Sequence, residues 1–434
     1  MSRTRAWRRL GRAAVGLVLL MGAAAAGVWW LNVRGEAPIA DPAPAFAASA
    51  AQVERGRYLA LAGNCAGCHT APGGAAYAGG VGIATPFGTV YAGNLTPDEA
   101  TGLGRWSADH FWRALHHGRS RDGRLLTPAF PYTSYTQLQR EDSDALYAWL
   151  RTLPAVSQPN RQQGLRFPYN TQAALAVWRA LYFRAASFEP VPSQSAQWNR
   201  GAYLVGGLGH CMACHGPRNA LGAPEAARPG EVGGGGLLAD QGWYAPALDD
   251  SREAGVMRWR EDDVVALLRD GRNAHAGVSG PMAEVVYRST QHLSDADLRA
   301  MAGYLRTLPD RAAAAPAPPP APASPAPEGQ MLRGERIYAQ QCAWCHGAQG
   351  QGQSGAFPPL AGNRALNMAG TRNLVQMLRQ GGYLPATAGN PRPHGMPPFG
   401  HALEDADIAD VLTYVRGSWG NRGAALTLGD VARR

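Results

Sequence analysis

Apolar residues recur at three- and four-residue steps in three pairs of segments, which is the pattern of amphipathic helices. The first member of each pair begins with arginine and glycine, in RGRYLALAGN, RGAYLVGGLGH and RGERIYAQQ. The second member follows acidic residues, in REDSDALYAWLRTLP, LSDADLRAMAGYLRTLP and LEDADIADVLTYVRG. A shorter helix ending in glycine lies between them, in FWRALHHG, VVALLRDG and LVQMLRQG. The pattern predicts one mainly helical unit that is used three times.

The repeats set the predicted boundaries. The expected order is a membrane segment (1–34), a first domain (51–154), an aromatic connector (155–197) and a second domain (198–310). A proline- and alanine-rich linker (311–327), a third domain (328–420) and a tail (421–434) follow. The linker should be extended, without a core of its own. The connector contains Trp178, Leu181, Tyr182 and Phe183. Two interpretations of it stay open: a docking surface for a partner subunit or the membrane, or a helix packed against its own domains.

The N-terminal segment has the pattern of a membrane anchor. Residues 13–33 carry no charge and follow five arginines, and about 20 apolar residues suffice to cross a bilayer. Because arginines stay on the cytoplasmic side, we expect an anchor in the bacterial inner membrane with the domains facing the periplasm. A cleaved signal sequence is the alternative, and either predicts export. The net charge of +9 includes those arginines, and the remaining chain has no continuous basic run, so a nucleic-acid partner is not expected.

Export would normally predict disulfides for six cysteines, but their spacing indicates different chemistry. The cysteines occur only in three motifs, each followed by a histidine. These are CAGCH (Cys65, Cys68, His69), CMACH (Cys211, Cys214, His215) and CAWCH (Cys342, Cys345, His346). Two thiols on one helical turn can each add to a haem vinyl group, and the next imidazole then lies under the iron. A thioredoxin-like pair or half of a zinc site would explain one match, but not three that all end in histidine. We therefore expect three covalently bound haem c groups, with the three histidines as iron ligands.

Each unit has Cys-x-x-Cys-His near its start, then a loop and a closing helix, and so resembles the class I cytochrome c fold. The resemblance implies mainly α architecture: three such domains in tandem behind an N-terminal transmembrane helix. In that family a methionine on the loop before the last helix is the second axial ligand. The resemblance assigns this role to Met282 in GPMAEV and Met396 in HGMPPF. Trp106 and Trp259, just before the middle helices, are candidates for haem propionate contacts, with ordinary packing as the alternative.

The first unit departs from this pattern. Its matching loop, TPAFPY, has Phe130, and no methionine occurs between Ala51 and Gln197. Two outcomes stay open for the first haem: a five-coordinate iron covered by Phe130, or a second histidine ligand. The histidine candidates are His110, His116 and His117. Without a thioether, we expect the first haem to have the lowest reduction potential of the three.

The order of anchor and three units resembles the tri-haem cytochrome subunit of bacterial membrane-bound dehydrogenases. The phrases GLGHCMACHGPRNALGA, TPFGTVYAGNLTPD and FPPLAGN carry this resemblance. The family serves alcohol, gluconate and sorbitol dehydrogenases and molybdenum-dependent aldehyde, nicotinate and isoquinoline oxidoreductases; the AFPY form resembles the molybdenum branch. The resemblance implies a chain that is no enzyme on its own. A catalytic partner, either a molybdopterin hydroxylase or a quinoprotein, would oxidise the substrate, and the haems would pass electrons to ubiquinone or a terminal oxidase.

Two other functions compete with this one. A catalytic dehydrogenase is disfavoured, because the sequence has no G-x-G-x-x-G after a strand and no cluster of catalytic carboxylates or histidines outside the haem units. An anchored multihaem carrier that donates directly to a terminal oxidase remains the alternative.

Overall fold

A computed structural model of the chain describes residues 3–40, 46–225, 234–238, 241–314 and 327–432. These residues are mainly helical, as predicted, with short strands between the helices. Most of the predicted linker, residues 315–326, lies outside the described residues.

The chain begins with a long helix, α1 (Arg3–Val33). Its stretch Leu10–Val33 is 24 residues long and apolar enough to cross a membrane, and it is not buried inside the protein. This agrees with the expected anchor, since exposed apolar helices of this length are stable in lipid rather than in water.

The first helical segment follows the anchor. Its elements are α2 (Ala50–Ala62), α3 (Cys65–His69), β1 (Gly82–Thr85), β2 (Gly88–Tyr91), α4 (Ala108–His117), α5 (Tyr132–Tyr135) and α6 (Arg140–Leu150). Strands β1 and β2 form an antiparallel hairpin, with Gly82 opposite Tyr91. The connector adds β3 (Gly164–Leu165) to this hairpin and continues into helix α7 (Gln172–Tyr182). The connector is thus partly packed against the first segment.

The second and third segments repeat this order. The second contains α8 (Ala196–Tyr203), α9 (Met212–His215), β4 (Gly236–Leu238), β5 (Trp243–Ala245), α10 (Glu261–Asp270), α11 (Pro281–Arg288), α12 (Asp295–Arg306) and α13 (Arg311–Ala314), with a π-helical turn at Leu204–Leu208 and a 3₁₀ turn at Thr290–His292. The third contains α14 (Glu328–Gln341), α15 (Ala343–His346), α16 (Arg364–Asn367), α17 (Arg372–Gln380), β6 (Gly382–Tyr383), β7 (Gly395–Met396), α18 (Asp405–Gly417) and α19 (Leu428–Ala432).

Each segment is built on two crossing helices: α2 with α6, α8 with α12, and α14 with α18. A glycine lets the two backbones touch, because a Cβ at that position would overlap a carbonyl oxygen of the other helix. The contacts are Gly56 with Ala145, Gly201 with Ala300, and Gly334 with Asp410. The preceding arginine forms an ion pair with an aspartate of the closing helix: Arg55 with Asp142, Arg200 with Asp297, and Arg333 with Asp410. The repeated Arg-Gly start is therefore a helix-crossing motif.

The first two segments also exchange hydrogen bonds through a tyrosine two residues after each glycine. The Tyr58 hydroxyl donates to Asp297 Oδ2 at 2.7 Å, and the Tyr203 hydroxyl donates to Asp142 Oδ2 at 2.7 Å. The third segment has Arg336 at this position. The sequence difference thus matches a difference in packing between the segments.

The buried side chains divide in the same way. The first and second segments share one hydrophobic core, which contains Leu59, Leu146, Val205 and Leu298. The third segment has a separate core around Ile408. Residues after Gly420 were expected to be a tail, but Leu426 and Val431 are 2% and 0% exposed and belong to this third core. The chain up to Ala432 therefore completes the third segment.

Candidate haem-binding sites

The three Cys-x-x-Cys-His motifs each lie on a short helical turn. The first motif forms α3, and in the other two the first cysteine, Cys211 or Cys342, is the N-cap of α9 or α15. All six cysteines are free of disulfides. Burial raises the pKa of Cys65 and Cys211 to about 12 and that of Cys342 to about 11. An apolar setting of this kind suits an uncharged thioether rather than a thiolate metal ligand.

The histidine of each motif is oriented by a backbone carbonyl. The distances from Nδ1 to the carbonyl oxygen are 2.7 Å for His69 and Gly93, 2.6 Å for His215 and Pro246, and 3.1 Å for His346 and Pro358. Because a carbonyl only accepts, Nδ1 must carry the proton, which leaves the Nε2 lone pair for a metal. Burial lowers the pKa of all three imidazoles, which favours this neutral form.

Two apolar cavities adjoin the motifs. The first, of about 2170 Å³, is lined by Cys65, Cys68 and His69. The second, of about 840 Å³, is lined by both remaining motifs: Cys211, Cys214 and His215 together with Cys342, Cys345 and His346. Two thiols and an oriented imidazole on the wall of an apolar cavity are the donor set that haem c requires. The residues at all three motifs therefore fit that group.

The two predicted methionine ligands both line the second cavity. Met282 lies in the first turn of α11, after Pro281, and Met396 lies in β7, opposite Gly382. Met301, Met368 and Met377 border the same cavity, so lining alone does not single out a ligand. Met301 and Met368 are almost fully buried, as is usual for methionines that fill a core.

Phe130 takes the corresponding place at the first cavity, whose wall it helps to form. Its ring packs against Tyr135, with ring centroids 5.4 Å apart. None of the described residues that line this cavity is a methionine, and residues 51–197 of the sequence contain none. An apolar ring thus stands where the other two segments present a thioether.

The structure does not bring His116 and His117 to this cavity. Neither is among the described residues that line it. His116 stacks on Trp112 with ring centroids 4.3 Å apart, and His117 packs edge-on against His116 at 4.7 Å. Burial lowers the pKa of His116, and burial next to His116 and Arg179 lowers that of His117 to about 4. His110 belongs to the capping box of α4, with Ser107.

His210 is a residue of the site that the sequence reasoning missed. It directly precedes Cys211, lines both cavities, and lies against Tyr135 with ring centroids 5.5 Å apart. Burial lowers its pKa. Its place next to a cysteine motif, in GHCMACH, was the available signal.

Each of the two predicted tryptophans lies at a cavity. Trp106 lines the first cavity and Trp259 lines the second. Both also pack against the shared core of the first two segments, so propionate contacts and ordinary packing both stay open for them.

Comparison with known proteins agrees with this geometry. The sequence model of the family described as "Cytochrome c" matches residues 53–154 and 331–419. The chain is 38% identical over 396 residues to the alcohol dehydrogenase (quinone) cytochrome c subunit of Gluconacetobacter polyoxogenes, covering 89% of this chain and 84% of that protein. It is also 38% identical over 396 residues to the gluconate 2-dehydrogenase cytochrome c subunit of Pantoea cypripedii, covering 89% and 90%.

A further relative has a different length. Over 379 residues the chain is 42% identical to a nicotinate dehydrogenase subunit of Pseudomonas putida, covering 85% of this chain but 30% of that protein. The resemblance found in the sequence is thus confirmed over nearly the whole chain. This chain belongs to the cytochrome c family and, within it, to the cytochrome c subunits of dehydrogenases.

Proposed function

We propose that the chain is a tri-haem electron-transfer subunit of a membrane-bound dehydrogenase, with cytochrome c domains at residues 51–154 and 198–310 and a third that begins at residue 328 and extends to Ala432. The observation that carries the proposal is the threefold repetition of motif, helix crossing and histidine–carbonyl hydrogen bond. The middle segment, which the family model does not match, has all three features. Haem c supplies a one-electron ferric/ferrous couple at each site, while the chain sets spacing, exposure and potential.

The residues of each site have distinct roles in this proposal. The six motif cysteines form the thioether links, and His69, His215 and His346 bind iron through Nε2. Met282 and Met396 provide the second axial ligand in the second and third domains, where a thioether favours the ferrous state. In the first domain, Phe130 covers the side of the cavity where the other domains have their methionine. His116 and His117 have structural roles there.

The cavities support an order for electron transfer. Cys214 and His210 border both cavities, so the second site adjoins the first site on one side. The second and third sites share one cavity. The second site therefore lies between the other two, and electrons would pass along the chain of sites through the second domain.

The anchor is proposed to remain part of the mature protein. Asn32, in the last turn of α1, donates to the Ala176 carbonyl at 2.9 Å and accepts from Arg179 Nε at 2.8 Å. Glu36 pairs with Arg119 at 3.3 Å. Cleavage near residue 47 would remove Asn32 and Glu36. The buried Arg179 would then lose the hydrogen bond to Asn32, and an unsatisfied buried charged group is costly.

Helix α7 supports a second contact with the bilayer. Its charged residue, Arg179, points inward and is 4% exposed, whereas Val177 and Leu181 are 48% and 61% exposed. This inverted arrangement is unfavourable in water but suits a helix at a lipid surface. Because α7 packs on the end of α1, the apolar side chains would meet the periplasmic leaflet.

A fluorophore on Leu181→Cys should be quenched by nitroxide lipids, and one on Tyr383→Cys, in the third domain, should not.

The partners follow from the relatives and the first cavity. The named relatives are subunits of alcohol, gluconate and nicotinate dehydrogenases, so we propose a catalytic partner of the molybdopterin hydroxylase or quinoprotein type. The first cavity extends to Trp178 and Leu181 on α7, next to the anchor. This apolar opening favours ubiquinone over a terminal oxidase as the acceptor.

The test is purification of the tagged full-length chain after detergent extraction. A large catalytic subunit should co-purify in a fixed ratio, and substrate should reduce the haems of the complex. A chain that purifies alone and only reduces an oxidase would instead support the anchored carrier.

A further inference from the structure

An arginine of the third domain reaches into the second domain beside the shared cavity. Arg364, the first residue of α16, donates through one terminal nitrogen to the carbonyl oxygens of Glu253 at 3.0 Å and Gly255 at 2.6 Å. Its guanidinium carbon lies 5.0 Å from the centre of the Trp259 ring. Both Arg364 and Trp259 line the second cavity. The guanidinium is therefore fixed at the cavity wall by contacts with the other domain.

No described carboxylate forms an ion pair with this cation. Among the described residues, Arg364 has no ion pair within 4.0 Å, and its hydrogen bonds go to uncharged carbonyls. The nearby carboxylates have other partners: Asp250 pairs with Arg252 at 2.6 Å, and Asp310 with Arg258 at 3.5 Å. An arginine stays protonated even when it is partly buried. Asp310 and Asp250 thus act on Arg364 only from a distance, and no described carboxylate contacts the guanidinium at the cavity wall.

We propose that Arg364 is a positioning residue that supplies the cation for the haem propionates of the second domain, across the domain boundary. This rests on the proposed haem at Cys211, Cys214 and His215. Propionates are the anionic part of haem, and an arginine fork suits carboxylates. A fixed cation favours the reduced iron, which carries one positive charge less than the oxidised iron. The potential of the second site therefore depends on a charge that the third domain contributes.

The same boundary offers two matched controls. Arg272 of the second domain donates to the Gly355 and Gly389 carbonyls of the third domain, but it is not part of the cavity wall. Asn373 exchanges two hydrogen bonds with the Tyr244 backbone, at 2.8 and 2.7 Å, and carries no charge. Arg272→Gln removes a cation from the boundary away from the cavity. Asn373→Ala removes an uncharged contact between the same two domains and leaves the contacts of Arg364 in place.

The experiment is a spectroelectrochemical titration of the full-length haem-loaded protein and its variants. Arg364→Gln should keep three haems and lower one of the three midpoint potentials. The expected shift is about tenfold in the reduction equilibrium, or about 59 mV for one electron. Arg364→Lys, which keeps the charge, should shift the same potential less. Arg272→Gln and Asn373→Ala should titrate like the wild type.

Unchanged potentials in Arg364→Gln would overturn the inference, and so would an equal shift in either control. If Arg364→Gln fails to assemble, Arg364→Met removes the charge in its place, and an unchanged potential in that variant would overturn the inference. A wild-type protein with only two haems and free Cys211 would overturn the three-haem proposal itself. Three haems with unchanged potentials would overturn only the role of Arg364.

Discussion

The hydrogen bonds exchanged between the first two domains should make a measurable contribution to stability. Tyr203→Phe removes the hydroxyl that donates to Asp142 and leaves the ring in place. Asp142 is 2% exposed, so water cannot replace the lost donor, although Arg55 remains. Loss of one hydrogen bond to a buried charged group costs about 1.5–3 kcal/mol. If the free energy of unfolding falls by about 2 kcal/mol, the melting temperature of the unit formed by the first two segments should fall by roughly 4–8 °C.

The assay is thermal unfolding of the haem-loaded protein, followed at the Soret band. Tyr287→Phe, at a tyrosine that is 53% exposed, is the control and should melt with the wild type. Tyr58→Phe should behave like Tyr203→Phe, because it breaks the matching hydrogen bond to Asp297. If Tyr203→Phe melts with the wild type, the exchanged hydrogen bonds do not hold the two domains together.

The same interface predicts a dependence on pH. Burial alone would raise the pKa of Asp297, but hydrogen bonds from Arg200 and Tyr58 hold it below its ordinary value. A lowered pKa stabilises the fold above the unfolded pKa, and this stabilisation is lost as the pH falls through the folded pKa. The loss of unfolding free energy in Tyr58→Phe should therefore have its full value at pH 7 and become smaller below about pH 4. A difference that stayed constant into acid would contradict an ionised Asp297.

Three further predictions concern the ligands and the anchor. Met396→His should lower one reduction potential and abolish part of the near-infrared band of ferric iron bound to sulfur; an unchanged spectrum would remove Met396 from the ligands. Phe130→Met should raise one potential if the loop still reaches the iron, and electron paramagnetic resonance of the wild type should not show three low-spin His/Met haems. Intact protein should require detergent and keep residues 1–33; N-terminal sequencing that began near Gly27 or Ala48 would show a cleaved signal.

Much of the site was predictable because its signals are local. Each Cys-x-x-Cys-His motif lies on a single helical turn, so five consecutive residues specify its chemistry. The helix pairs were also predictable, because apolar periodicity and the Arg-Gly start recur along the chain. Met282 and Met396 line the second cavity together with three other methionines, so their role as ligands stays a prediction. The matching loop position, rather than any long-range contact, pointed to them.

Contacts between distant parts of the chain were not predictable from the sequence. The Tyr58–Asp297 hydrogen bond joins residues 239 positions apart, and no local pattern indicates such a pairing. His116 and His117 were ligand candidates because of their type, but neither is among the described residues that line the first cavity. His116 stacks on Trp112 of the same helix, and His117 packs against His116. His210 was overlooked because its contacts with both cavities depend on how the first two domains pack.

The number of covalent haems per chain decides whether the protein is a tri-haem cytochrome. Intact-mass measurement of the purified chain, together with a pyridine haemochrome assay on denatured protein, counts haem groups attached to the six cysteines. The account predicts three per chain and no thiol that reacts with a thiol reagent. Two or fewer haems, with free thiols at Cys211 and Cys214, would contradict it.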